Sequence, residues 1–156
     1  MVVIAHDIRS LHNVGSIFRS ADAFGVAKIY LTGYTGTPPR KEIAKVALGS
    51  QDRVPWEKRD DVLGLIKELK QGGTYVVALD NREGAIDITT VIARSEATKQ
   101  SRPIALVLGN EVEGVPSEVL RACDALVEIP MPGQKKSLNV AVATGVALFV
   151  LGGKMR

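Results

Sequence analysis

Short apolar runs rich in Val, Ile and Leu recur along the chain, and stretches with helical periodicity separate most of them. That alternation constrains the fold most strongly. Residues 2–5, 27–31, 74–79, 104–108 and 125–129 read as strands, and such continuous apolar strands are buried on both faces. Residues 13–25 place Val14, Ile17, Phe18, Ala21 and Phe24 along one helical face, with Asn13 as candidate cap and Gly25 as stop. Residues 39–48 and 60–70 also read as helices, and 116–121 as a short helix with Pro116 in its first turn. The alternation predicts an α/β fold, with a mostly parallel sheet and helices on both faces.

A chain of 156 residues fits a single domain, expected here to run over 1–156 with no appended RNA-binding domain. Its hydrophobic share of 46% and charged share of 24% are those of a soluble globular protein. Aromatics make up only 4%, so the core must be aliphatic. A net charge of +3 permits an anionic partner without demanding one. The basic clusters Arg40/Lys41/Lys45, Lys58/Arg59 and Lys135/Lys136 read individually as solvated surface. The single Cys123 excludes an intrachain disulfide, and with only two His a dedicated metal site is not expected. The N-terminus lacks the pattern of a signal peptide, so a cytoplasmic location is expected. Residues 138–153 carry no charge, but a membrane span needs about 20 apolar residues. A buried core or interface helix is the better reading, with no membrane partner. Residues 81–102 form a long polar connection that is either mobile or holds a short helix.

Three segments stand out chemically. In the first, residues 13–26, Arg19 lies opposite the apolar stripe, and Gly15 admits a close backbone or ligand. In the second, residues 104–116, a buried strand runs into Gly109, Asn110 and Glu111. Ligands of open parallel sheets bind beyond such strand ends. In the third, residues 127–149, a strand ends in Ile129-Pro130-Met131, and a loop with Lys135 and Lys136 leads to Ser137, a candidate cap. Polar Asn139 at the mouth of an apolar helix calls for a hydrogen-bonding partner. The dinucleotide, P-loop, nucleophile-elbow and zinc fingerprints are all missing.

In order, these segments resemble the three motifs of the SpoU/TrmH family of RNA ribose methyltransferases, within the SPOUT superfamily. The first motif is similar in Asn13, Gly15 and Arg19, the second in Leu108-Gly109-Asn110-Glu111 with Gly114, and the third in Ile129-Pro130-Met131 and Ser137-Leu138-Asn139. The resemblance implies a C-terminal deep trefoil knot and a homodimer with the last helix at its interface. It implies S-adenosylmethionine held by Leu108, Gly109, Asn110, Ile129, Met131, Ser137 and Leu138. It also implies catalytic roles for Asn13, Arg19, Glu111, Ser137 and Asn139 in methylating a ribose 2′-hydroxyl of tRNA or rRNA. Rival readings are a non-catalytic RNA-binding module of the same fold, a SPOUT enzyme that methylates a base nitrogen, and an α/β enzyme acting on small molecules.

Overall fold

A computed structural model describes residues 1–98 and 102–152. The chain runs β1 (Val2–His6), α1 (Leu11–Ala23), β2 (Lys28–Thr32), α2 (Lys41–Ala47), α3 (Ser50–Arg53), β3 (Trp56–Arg59) and α4 (Val62–Gln71). It continues with β4 (Tyr75–Leu79), β5 (Ile86–Asp87), α5 (Thr89–Thr98), β6 (Ile104–Leu108), α6 (Ser117–Ala122), β7 (Ala125–Glu128) and α7 (Val140–Gly152). All seven strands join one sheet in the order β3-β2-β1-β6-β4-β7-β5, and every strand pair is parallel.

Each central strand buries alternate residues on opposite faces. Val3 and Ala5 of β1 and Leu106 and Leu108 of β6 meet α1, α2 and α7. Ile4, Ala105 and Val107 meet α4 and α6 through Leu65, Ile66 and Val119. The expected two-faced parallel sheet is therefore present. Neighbouring β1 and β6 lead to connections that leave in opposite directions, which opens a crevice beyond their carboxyl ends.

Several local expectations change. Helix α1 is capped by Ser10, whose side chain accepts the Asn13 backbone N–H at 3.2 Å. Asn13 thus sits inside the first turn, with its side chain free for other work. Phe24 belongs to the surface, packed edge-on against Phe149 at 6.2 Å between ring centroids. Strand β3 lacked any apolar signature because it is an edge strand; Arg59 pairs with Glu57 and Glu68. The connection after β4 holds both β5 and α5, while residues 99–101 of the basic RSEATKQSR stretch lie outside the described residues. The last helix starts at Val140, and the expected end at Gly153 also lies outside them. Among the described residues no helix is long and apolar enough to cross a membrane, and no group of side chains could hold a metal ion.

Helix α1 lies between α2 and α7. A Cβ on Gly15 would stand 2.5 Å from the Ile43 carbonyl and 3.0 Å from Val46 Cβ. The close approach at Gly15 is thus a helix–helix contact. A Cβ on Gly145 of α7 meets only Ser20 Oγ, at 3.6 Å. Gly15→Ala should lose about 1–3 kcal/mol by overpacking, whereas Gly145→Ala should be neutral or gain about 0.5–1 kcal/mol from helix propensity. Urea unfolding of the pair reads both signs.

Candidate active site

Beside that crevice, on its β6 side, lies a cavity of about 470 Å³, within the range of small-molecule sites. Its walls are the segments that follow β4, β6 and β7. Leu108, Gly109, Asn110, Glu111, Ile129, Met131, Ser137 and Leu138 all line it. So do Asp80, Asn81 and Arg82, to which the sequence pattern assigned no role. They follow β4 as Gly109 follows β6, so the rule that places ligands beyond strand ends applies to them equally.

Glu111 organises the rim. Its Oε2 accepts the Arg9 backbone N–H at 2.9 Å, and its Oε1 accepts the Ser10 N–H and Asn13 Nδ2, each at 3.0 Å. Burial alone would raise this carboxyl. The hydrogen bonds from Arg9, Asn13, Ser10 and its own N–H outweigh burial and hold it below the ordinary 4.5. Glu111 is therefore an anion at neutral pH.

Asn13 passes the network on: its Oδ1 accepts from Asn139 Nδ2 at 3.2 Å. Asn139 is exposed, and its own Oδ1 accepts the N–H groups of Ala141 and Val142 at 2.8 and 3.3 Å. Asn139 is thus the cap of α7, and the expected cap at Ser137 gives way to it. Glu111, Asn13 and Asn139, one from each chemical segment, form a single hydrogen-bonded chain.

Asn110 closes the β6–α6 loop. Its Oδ1 accepts the Val112 and Glu113 N–H groups, and its backbone bridges Gly114 at 2.9 and 3.1 Å. Asp80 Oδ2 holds the other side, accepting the Val115 N–H at 2.9 Å and pairing with Arg82 at 3.1 Å. A Cβ on Gly109 would lie 2.4 Å from Gly114 carbonyl carbon and Val115 nitrogen. Gly109 is bare because this loop folds back onto it.

Arg19 stands apart. It is exposed, outside the cavity lining, and among the described residues it has no hydrogen bond or ion pair. It lies six residues beyond Asn13, about 9 Å further along α1 and about 120° around it. Seven residues earlier on the same face of α1, His12 is exposed as well.

The model of the SpoU rRNA Methylase family matches residues 1–149. The chain is 32% identical over 149 residues to the 23S rRNA (guanosine-2′-O-)-methyltransferase RlmB of Xanthomonas axonopodis pv. citri, covering 96% of this chain and 57% of that protein. It is 33% identical to the tRNA (guanosine(18)-2′-O)-methyltransferase of Aquifex aeolicus, covering 96% and 67%. An AdoMet-bound rRNA methyltransferase from Sinorhizobium meliloti superposes with a TM-score of 0.85 at 34% identity, covering 96% of this chain and 54% of that one. The chain thus spans little more than half the length of these rRNA-methyltransferase relatives.

Glu111→Gln would turn one acceptor oxygen into a donor facing N–H groups. The variant should lose about 1–3 kcal/mol of stability. The deficit should stay constant from about pH 8 to about pH 5.5. Because the folded carboxyl is lowered, the contribution is present above its unfolded value and is lost as pH falls through the folded one. Urea midpoints across pH for both proteins check this.

Proposed function

Because the chain belongs to the SpoU rRNA methylase family, we propose that it transfers the methyl group of S-adenosylmethionine to a ribose 2′-hydroxyl of RNA. The observation that carries this reading is the Glu111–Asn13–Asn139 chain at the rim of a cavity beyond the strand ends. The cavity suits the cofactor chemically. Ile129, Met131 and Leu138 offer an apolar flank for an adenine, and the lining's carboxylates Asp80, Glu111, Glu113 and Glu128, against the single guanidinium of Arg82, suit a cationic ligand. Backbone groups at Leu108, Gly109 and Asn110, with Ser137, would hold its polar parts.

S-adenosylmethionine supplies an already electrophilic methyl group. The protein's task is to set a ribose oxygen in line and stabilise the charge that develops there; orientation contributes up to about 7–11 kcal/mol in ideal cases. Asn13, Ser137 and Asn139 form the polar wall, with Glu111 fixing Asn13. Arg19 brings a guanidinium that has no hydrogen bond or ion pair among the described residues. Its pKa, above about 12, makes it a poor proton acceptor. It grips a phosphate bidentately or stabilises alkoxide charge. Relatives named for rRNA and for tRNA both match, which supports RNA as the substrate class.

The working unit in this reading is a homodimer. Helix α7 leaves Val142 (55%), Val146 (37%) and Phe149 (55%) exposed beside Phe24. A contiguous apolar strip of this kind marks an interface. Arg19 stands on α1, which packs against α7, and outside its own chain's cavity, so a second copy on α7 is what brings the guanidinium to bound substrate. We also infer the deep trefoil knot. The β4–β5 connection spans the end of β7, which lies between those strands, and Asn81 Nδ2 donates to the Lys136 carbonyl in the segment leaving β7. A cytoplasmic setting fits the RNA substrate.

Arg19→Ala and Arg19→Lys should each keep S-adenosylmethionine affinity by calorimetry and lose about 10²–10³-fold in methyl transfer to RNA. Near-normal transfer by either would remove Arg19 from the chemistry. Val146→Glu should sediment as a monomer and lose RNA methylation; a variant that stays dimeric and active would contradict the proposed interface.

A further inference from the structure

We propose that Tyr34 is a stacking platform for a nucleobase of the RNA, set beside the cavity mouth; this rests on the methyltransferase reading above. Tyr34 is 60% exposed, yet it is pinned at both ends. Its backbone N–H donates to Asp7 Oδ1 at 3.0 Å, and its hydroxyl oxygen accepts from Asn110 Nδ2 at 2.7 Å. The amide orientation is settled, because Asn110 Oδ1 accepts two backbone N–H groups. The Tyr34 hydroxyl must therefore accept here, which leaves its own proton free to donate to another acceptor.

The neighbours are fixed as firmly. Gly33 has φ +59°, and a Cβ there would fall 1.8 Å from Asp7 Oδ1. Only glycine lets the loop close on that carboxylate. Thr35 is buried; its hydroxyl donates to the Ala5 carbonyl at 2.9 Å and accepts the Ile8 N–H at 3.0 Å. The Lys58 ammonium caps the Gly33 carbonyl. The loop thus holds an aromatic ring rigid, and among the described residues no other ring or cation packs on its face. The chain has only seven aromatics, and the other strongly exposed ones, Phe24 and Phe149, pack on each other in the apolar strip.

Position makes the ring useful. Asn110, which holds it, lines the cavity, and adjacent Glu111 holds the backbone of Arg9. Arg9 is exposed and without a side-chain partner among the described residues, so a cation for a phosphate stands on the same rim. RNA recognised in single-stranded segments splays its bases onto aromatic faces. A rigid ring takes up a base at little cost in conformational entropy.

The test uses the full chain with Tyr34→Ala, Tyr34→Phe and Tyr34→Trp. Bulk tRNA and a transcribed large-subunit rRNA fragment serve as probes for binding and for steady-state methylation, and calorimetry measures S-adenosylmethionine affinity. Tyr34→Ala should weaken RNA binding and raise KM for RNA roughly five- to hundredfold, the worth of one stacked base. Its kcat and cofactor affinity should stay within about twofold of wild type, whereas Tyr34→Phe and Tyr34→Trp, which keep the face, should hold RNA affinity within a few-fold. RNA should also quench the added indole of Tyr34→Trp above the Trp56 background. An unchanged KM in Tyr34→Ala, an equal loss in Tyr34→Phe, or a matching loss of cofactor affinity would overturn the platform while leaving the methyltransferase reading intact. A wild-type protein that binds neither the cofactor nor either RNA would sink that reading, and the platform with it.

Discussion

One carboxylate holds the site in place. Glu111 reaches from the loop after β6 across the crevice to the loop after β1 and takes three N–H donors there, two from backbone. Remove it, and the segment between β1 and α1 loses the partner for two backbone amides, one exposed and one half-buried, while Asn13 loses the anchor that aims it at Asn139. Burial works against the charge, and the donors win. The position of α1 relative to the cavity therefore follows from a balance between desolvation and hydrogen bonding, not from packing alone.

The remaining polar groups divide the labour around that anchor. Ser10 caps α1, which frees Asn13; Asn139 caps α7, which frees Ser137 to face the cavity. Asn110 ties the β6 loop to itself, to the Asp7 carbonyl and to Tyr34. Each amide or carboxylate serves two elements at once, so the cavity rim and the ends of the helices are one structure. Helix α7 then carries both a polar cap beside the cavity and an exposed apolar face.

The buried strands were legible because they are apolar without interruption, and Val3 to Ala5 or Leu106 to Leu108 leave no other reading in a chain of this composition. Strand β3 was not legible: Trp56-Glu57-Lys58-Arg59 stands at the sheet edge, where charge is an asset and periodicity carries no signal. The chemical residues were legible as motifs, but their local jobs were not. Asn13 and Ser137 both fit the preferences of a helix cap, and only the three-dimensional arrangement shows that Ser10 and Asn139 take those places. Asp80 to Arg82 and Tyr34 escaped notice because their importance lies in what they touch across the crevice, tens of residues away in the chain. At Gly109 the position at a strand end was legible, but the need for a bare Cα was not, because the atoms that impose it belong to Gly114 and Val115.

The account stands or falls on where a methyl group ends up. RNA from cells lacking this protein would be incubated with it and S-adenosylmethionine bearing a deuterated methyl, then digested to nucleosides and read by mass spectrometry. The account predicts the label on the ribose, as one 2′-O-methylnucleoside that appears only when the protein is present. Label on a base, or no transfer of label from a cofactor that the protein demonstrably binds, would contradict it.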